Sequence, residues 1–185
     1  MSRRHAIALV VLLLAGTAGC AQGQEYAVPG DVCGVEVQPA LLKPLLPPGD
    51  SFSQSKTHEG GGDITGCAMN VGKRRELTFQ TSLVAAGVDP LEVKGSNLLR
   101  AGNPQRADIG SDARIADNAA MAYSACTYNG EPRRYVVELW VQKPSADVNE
   151  RRKDLARFIT AYLPAAQKAA GCIPGAEAPS PSGSP

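Results

Sequence analysis

Aromatic residues are scarce in this 185-residue chain: five tyrosines, three phenylalanines and a single tryptophan, Trp140, make up 5% of it. Histidine is scarcer still, with only His5 and His58. That excludes a histidine-rich metal site, and His58, in the Gly-rich stretch before Gly62, reads as a solvated loop residue rather than a general base. No charge of one sign dominates, since 19 basic residues face 18 acidic ones. Such a balance gives no electrostatic footprint for nucleic acid and no polybasic surface for anionic lipid. No apolar run reaches the roughly 20 residues of a transmembrane helix. Catalytic signatures are missing too: there is no GxSxG elbow, Ser-x-x-Lys, HExxH or Walker loop. Gly60-Gly61-Gly62 lacks the Lys and Ser or Thr that a phosphate loop needs. The sequence assigns no catalytic residue, metal or cofactor.

What is there begins with Arg3-Arg4, an apolar run from Ala6 to Gly16, and Thr17-Ala18-Gly19-Cys20. A charged start, an apolar middle and a small-residue cleavage site read as an export signal over 1–19. The end of it resembles a bacterial lipoprotein signal, with Cys20 diacylated and exposed as the mature N-terminus. Ordinary cleavage after Gly23 is the rival and would give a secreted protein. Ser2-Arg3-Arg4 also admits a twin-arginine route, although an arginine pair that simply sets orientation accounts for it. Removing 1–19 takes away Arg3 and Arg4, leaving 166 residues with 17 basic and 18 acidic side chains, which suits one domain.

Cysteines at 20, 33, 67, 126 and 172 make an odd count, and lipidation of Cys20 explains the odd one. The remaining four fit two disulfides in an oxidising envelope. Their wide spacing excludes a Cys-x-x-Cys redox pair and a compact zinc knuckle. Cys67 and Cys126 fall on inward positions of strands, while Cys33 and Cys172 flank the domain. Cys67–Cys126 with Cys33–Cys172 is therefore the expected pairing, and Cys33–Cys67 with Cys126–Cys172 the alternative.

Residues 20–31 read as a lipidated tether, 32–173 as the globular domain and 174–185, rich in Pro and Ser, as a disordered tail. Pro39 to Pro48 predicts a short helix with Leu41, Leu42, Leu45 and Leu46 on one face. Strands are expected over 51–57, 64–71 and 77–83, the last with clean alternation. Asp89-Pro90 opens a helix to about Arg100, and a strand-like return is expected within 103–118. Asn129-Gly130 predicts a type I′ hairpin turn between 119–128 and 131–142. Pro132 argues for a longer loop or an edge position there. Asp147 and Glu150 begin a last helix, with Gly171 as its stop; Pro164 should kink or interrupt it.

Three features stand as candidate sites. Lys73-Arg74-Arg75 could hold an anion but suits a solvated turn. Asp108, Asp112 and Asp117 could bind calcium or act as acid and base, yet lack EF-type spacing and suit solvated loops or caps. Trp140 projects from the hairpin face opposite Val137 and Leu139. It is either a binding surface or, if the last helix covers that face, core.

The Arg-Arg signal, Cys20, Cys33, Cys67 and the Ala-Asp-Asn-Ala-Ala-Met-Ala-Tyr…Gly…Arg-Tyr-Val-Val-Glu-Leu hairpin together resemble small secreted lipoproteins of high-GC actinobacteria. The resemblance implies anchoring at the outer face of the cell membrane and assigns no catalytic residue. The expected fold is α+β, an antiparallel sheet of about five to six strands with the C-terminal helix on one face and two disulfides. The expected role is a non-catalytic, monomeric envelope module with a protein or glycan partner. An accessory enzyme with an unrecognised acid–base site is the alternative.

Overall fold

A computed structural model describes residues 24–58, 64–142 and 147–175, apart from the side chains of His58 and 93–96. The expected signal over 1–19, Cys20, the Gly-rich loop and residues 176–185 lie outside the described residues. The chain forms a small hairpin of β1 (Asp31–Val32) and β2 (Val35–Glu36), then helix α1 (Pro39–Leu42) with a 3₁₀ turn over Lys43–Leu45. An antiparallel sheet follows: β3 (Phe52–His58), β4 (Ile64–Val71), β5 (Arg74–Ala85), β6 (Gln105–Ala107), β7 (Asp112–Ile115), β8 (Ala119–Tyr128) and β9 (Glu131–Val141). Helix α2 (Pro90–Arg100) interrupts it after β5, and helix α3 (Val148–Ala169) precedes a last short strand, β10 (Ile173–Pro174).

The strands lie side by side in the order β3-β4-β5-β9-β8-β7-β6, with β10 also on β8, so the sheet has eight strands. The α+β class and the C-terminal helix on one face are as expected; the sheet is larger because β6, β7 and β10 are too short to show an alternating pattern. Tyr128 pairs with Glu131, and Asn129 (φ 52°) and Gly130 (φ 80°) make the turn. The loop is thus two residues long, not the longer one that Pro132 suggested. In such a hairpin the pair next to the turn is hydrogen-bonded, so Thr127–Pro132 is a non-bonded pair. On the other side β5 stops at Ala85 opposite Arg133. Pro132 therefore has no ladder bond to lose.

Every second residue of β4, β5 and β9 enters the main core. Cys67, Met69, Leu77, Phe79, Val137 and Leu139 meet Leu155, Phe158, Ile159, Tyr162 and Ala166 of α3 there. Those α3 positions recur at helical spacing, so one stripe of the helix covers the sheet. Phe79, Phe158 and Tyr162 form a ring cluster with centroids 5.3–5.5 Å apart. Asp147 caps α3 by accepting from the Glu150 N–H at 3.0 Å. Gly171 (φ 72°) ends it, with Gly171 N–H bonding Lys168 O and Cys172 N–H bonding Gln167 O. Pro164 does not interrupt α3: the helix runs through it to Ala169, and the residue is exposed.

The opposite face of the sheet has its own smaller core, in which Leu91, Leu98 and Ala101 of the α2 region pack on Met121, Tyr123 and Val136. Asp89 caps α2 through the Leu91 N–H at 2.8 Å. From Gln24 onward the segment expected to be a tether lies against the domain: Gln24 bridges to Gly49 and Tyr26 stacks on Phe52 at 5.7 Å.

Candidate functional site

The inner face of edge strand β3 is unusual in composition. Phe52, Gln54 and Lys56 stand opposite Val71, Met69 and Cys67, so two polar side chains occupy positions that should be core. Gln54 is spent on the β1–β2 turn: its Oε1 accepts from the Cys33 N–H and its Nε2 donates to Asp31 Oδ1, both at 2.9 Å. Asp31 Oδ1 also accepts from the Gly34 N–H at 2.8 Å. These bonds hold Cys33 (φ 49°) and Gly34 (φ 93°) in the left-handed region, a conformation that favours glycine. Cys33 thereby reaches Cys67, with Cα atoms 6.0 Å apart.

The stapled hairpin leaves a gap between itself, the sheet and the last turns of α3. That gap is a cavity of about 240 Å³. Phe79, Tyr135 and Tyr162, all buried, form its floor; Ala166 and Ala169 form the helix wall; Lys56, Thr65 and Gly34 form an exposed rim. Burial pushes the Tyr135 phenol up, partly offset by its hydrogen bond with the Thr81 side chain. Burial likewise raises the Tyr162 phenol, and the neighbouring Tyr135 adds to it. Both are neutral hydroxyls at physiological pH. Lys56 is the one charged residue among the described residues of the lining, none of which is a carboxylate. Among the described residues no acid lies within ion-pair distance of it; its Nζ rests 3.5 Å from the point where a Cβ on Gly34 would sit. The arrangement offers an apolar aromatic floor beneath hydrogen-bond donors and one cation.

No family model, curated protein or solved structure matches this chain. The site is therefore read from its own geometry.

The structure corrects the expected cysteine pairing. Cys33 joins Cys67, and Cys126 joins Cys172 with Cα atoms 5.5 Å apart. Cys67 on β4 and Cys126 on β8 do share an inward sense, but β5 and β9 lie between them. Three strand spacings separate them by about 14 Å, twice the reach of a disulfide. Trp140 is half-buried against the smaller core, beside the region that α2 covers, whereas α3 lies on the other face. Asp112 pairs with Arg106 and Arg114, and Asp117 with Arg152, while Asp108 is exposed at the end of β6. Among the described residues no three His, Cys, Asp or Glu side chains are placed to hold a metal. Lys73 and Arg75 are exposed at the β4–β5 turn, and Arg74 is bridged to buried Glu76 at 3.1 Å.

The cavity is not legible in the sequence because its lining is drawn from seven elements spread along the chain: β1, β2, β3, β4, β5, β9 and α3. Tyr135 and Tyr162 fall on apolar stripes and look like core. The one available signal was Lys56, a lone cation on the inward parity of a strand.

Two disulfides in so small a domain fit an oxidising, extracytoplasmic setting. Among the described residues no helix is long and apolar enough to cross a membrane.

Proposed function

We propose that this protein is an extracytoplasmic binding module, held at the outer face of the cell membrane by lipid on Cys20 and without catalysis of its own. The observation that carries the reading is the cavity beneath α3. Its floor is built on the ring cluster of the main core, and its mouth is fixed by the Cys33–Cys67 bridge. A preformed, partly apolar hollow with a few convergent polar groups is what a small-molecule site requires. The described residues of the lining offer donors and a cation, with no carboxylate among them to serve as the partner of an acid–base pair, which supports recognition.

Anchoring is supported by the lone fifth cysteine at the end of the signal-like segment, once the other four are bridged. Only residues 21–23 separate Cys20 from Gln24, which is bonded to the domain, so a lipid on Cys20 would hold the domain close to the bilayer.

Two measurements on protein recovered from its own membranes test the proposal. Mass spectrometry should find a diacylglyceryl group on an N-terminal Cys20, and an unmodified start at Gln24 would overturn the anchor. Denaturing the protein should release a co-purified small molecule that an Ala169→Phe variant, with the cavity wall filled, fails to retain. Equal recovery from both proteins would overturn the cavity as the binding site.

A further inference from the structure

The floor and the rim of the cavity differ in chemistry, and the difference selects a ligand class. The floor is aromatic and dry: Phe79 is 1%, Tyr162 3% and Tyr135 4% exposed. Among the described residues of the lining, the rim carries the only charge, the Lys56 ammonium, next to Thr65. Asp31 is the nearby acid on the β1–β2 hairpin, and its Oδ1 is committed to the Gly34 N–H and the Gln54 amide rather than to Lys56. Gly34 has no side chain to separate the ammonium from the mouth of the cavity. A volume of about 240 Å³ is below the 300–1,000 Å³ of clefts that hold drug-sized molecules. At roughly 30 Å³ per water-sized group, the space takes a ligand of about eight such groups.

Resting on the reading of this cavity as a ligand site, we infer that it binds a small monoanionic amphiphile, such as a short-chain or aromatic carboxylate. The apolar body lies on Phe79 and Tyr162, and the carboxylate meets Lys56 at the rim. An ammonium paired with an anion partly out of water makes a hydrogen bond in which both partners are charged, stronger than the one it donates to a neutral head group. A cationic ligand of the same shape meets like charge at Lys56 and finds no acid among the described residues of the lining.

Three probes with one chain and different heads test this: octanoate, octanamide and octylammonium, titrated into the purified, disulfide-intact protein and followed by two-dimensional NMR. Octanoate should shift resonances of Gly34, Thr65 and Ala169. Octanamide should bind at least tenfold more weakly, and octylammonium should leave these resonances unmoved. Lys56→Met, at an exposed position, should bring octanoate down to the level of octanamide. Equal binding of all three probes, or an undiminished preference for octanoate in Lys56→Met, overturns the anionic head group while leaving the cavity as a binding site. No shift at these residues from any probe overturns both.

Discussion

Arg152 grips Asp117 twice through Oδ1, from Nε at 2.9 Å and from Nη2 at 2.7 Å. The contact ties the second turn of α3 to the β7–β8 turn. It is reinforced on both sides: Arg152 also donates to Asn103 O, Asn103 Nδ2 donates to Asp117 Oδ2 at 3.2 Å, and Arg151 Nε donates to Asp117 O at 2.6 Å. Gly102 (φ 88°) sits so close that a Cβ there would fall 2.4 Å from Asp117 Oδ2. Asp117 is thus a clamp, not a cation ligand.

Asp117→Ala leaves a mostly buried guanidinium without its carboxylate. A lost charge-assisted bond of this kind costs about 1–3 kcal/mol. Urea unfolding should show that drop, and calcium should leave the unfolding midpoint of the parent protein unchanged. A calcium-dependent rise in the midpoint that Asp117→Ala abolishes would restore the metal reading.

Cys33–Cys67 and Cys126–Cys172 close loops of 34 and 46 residues. The chain-entropy model gives each about 4 kcal/mol. Peptide mapping without reductant should yield these two linked pairs, and replacing either pair by serines should lower stability by roughly 2–4 kcal/mol. The two variants differ in one further respect. Loss of Cys33–Cys67 frees the mouth of the cavity and should weaken ligand binding, whereas loss of Cys126–Cys172 should leave affinity intact in the folded fraction. A linked Cys67–Cys126 peptide would contradict the strand order.

Much of this fold was readable wherever a local rule acts alone. Asp89-Pro90 and Asp147 carry their caps in sequence, and Asn129-Gly130 states its turn. The alternation of Leu77, Phe79 and Thr81 states a half-covered strand. What escaped reading depends on lateral strand order. Cys67 and Cys126 share an inward sense, but the sequence does not say that β5 and β9 intervene, and so the wrong pairing looked reasonable. Strand parity puts Trp140 on the face opposite Val137 and Leu139, yet nothing near it in sequence says that α2, not α3, packs on that side of the sheet. The cavity is the extreme case, because Lys56, Tyr135 and Tyr162 converge only after β1–β2 has been stapled to β4.

Phe158 is the hinge of the ring cluster, 1% exposed and packed on both Phe79 and Tyr162. Phe158→Ala should cost about 3–5 kcal/mol, the usual range for emptying such a site. Phe158→Leu should recover most of it. Denaturant unfolding checks both. An alanine variant within 1 kcal/mol of the parent would mean that α3 does not anchor the main core, a result at odds with its buried stripe.

Alkaline pH tests the buried phenols directly. Burial holds Tyr162 and Tyr135 above the usual tyrosine range, and Tyr26 is raised mainly by burial as well. In the unfolded chain a tyrosine ionises near 10. Above that pH the unfolded state sheds protons that the folded state keeps, so stability is full below about pH 10 and falls as pH rises past it. The slope is at most about 1.4 kcal/mol per pH unit for each such group. Urea midpoints should be level from about pH 7 to 9 and then decline, with the decline shallower in Tyr162→Phe. Ultraviolet absorbance should show the Tyr162 phenolate appearing only together with unfolding. A Tyr162→Phe protein that loses stability as steeply as the parent would place the alkaline titration on other groups and leave Tyr162 open to solvent.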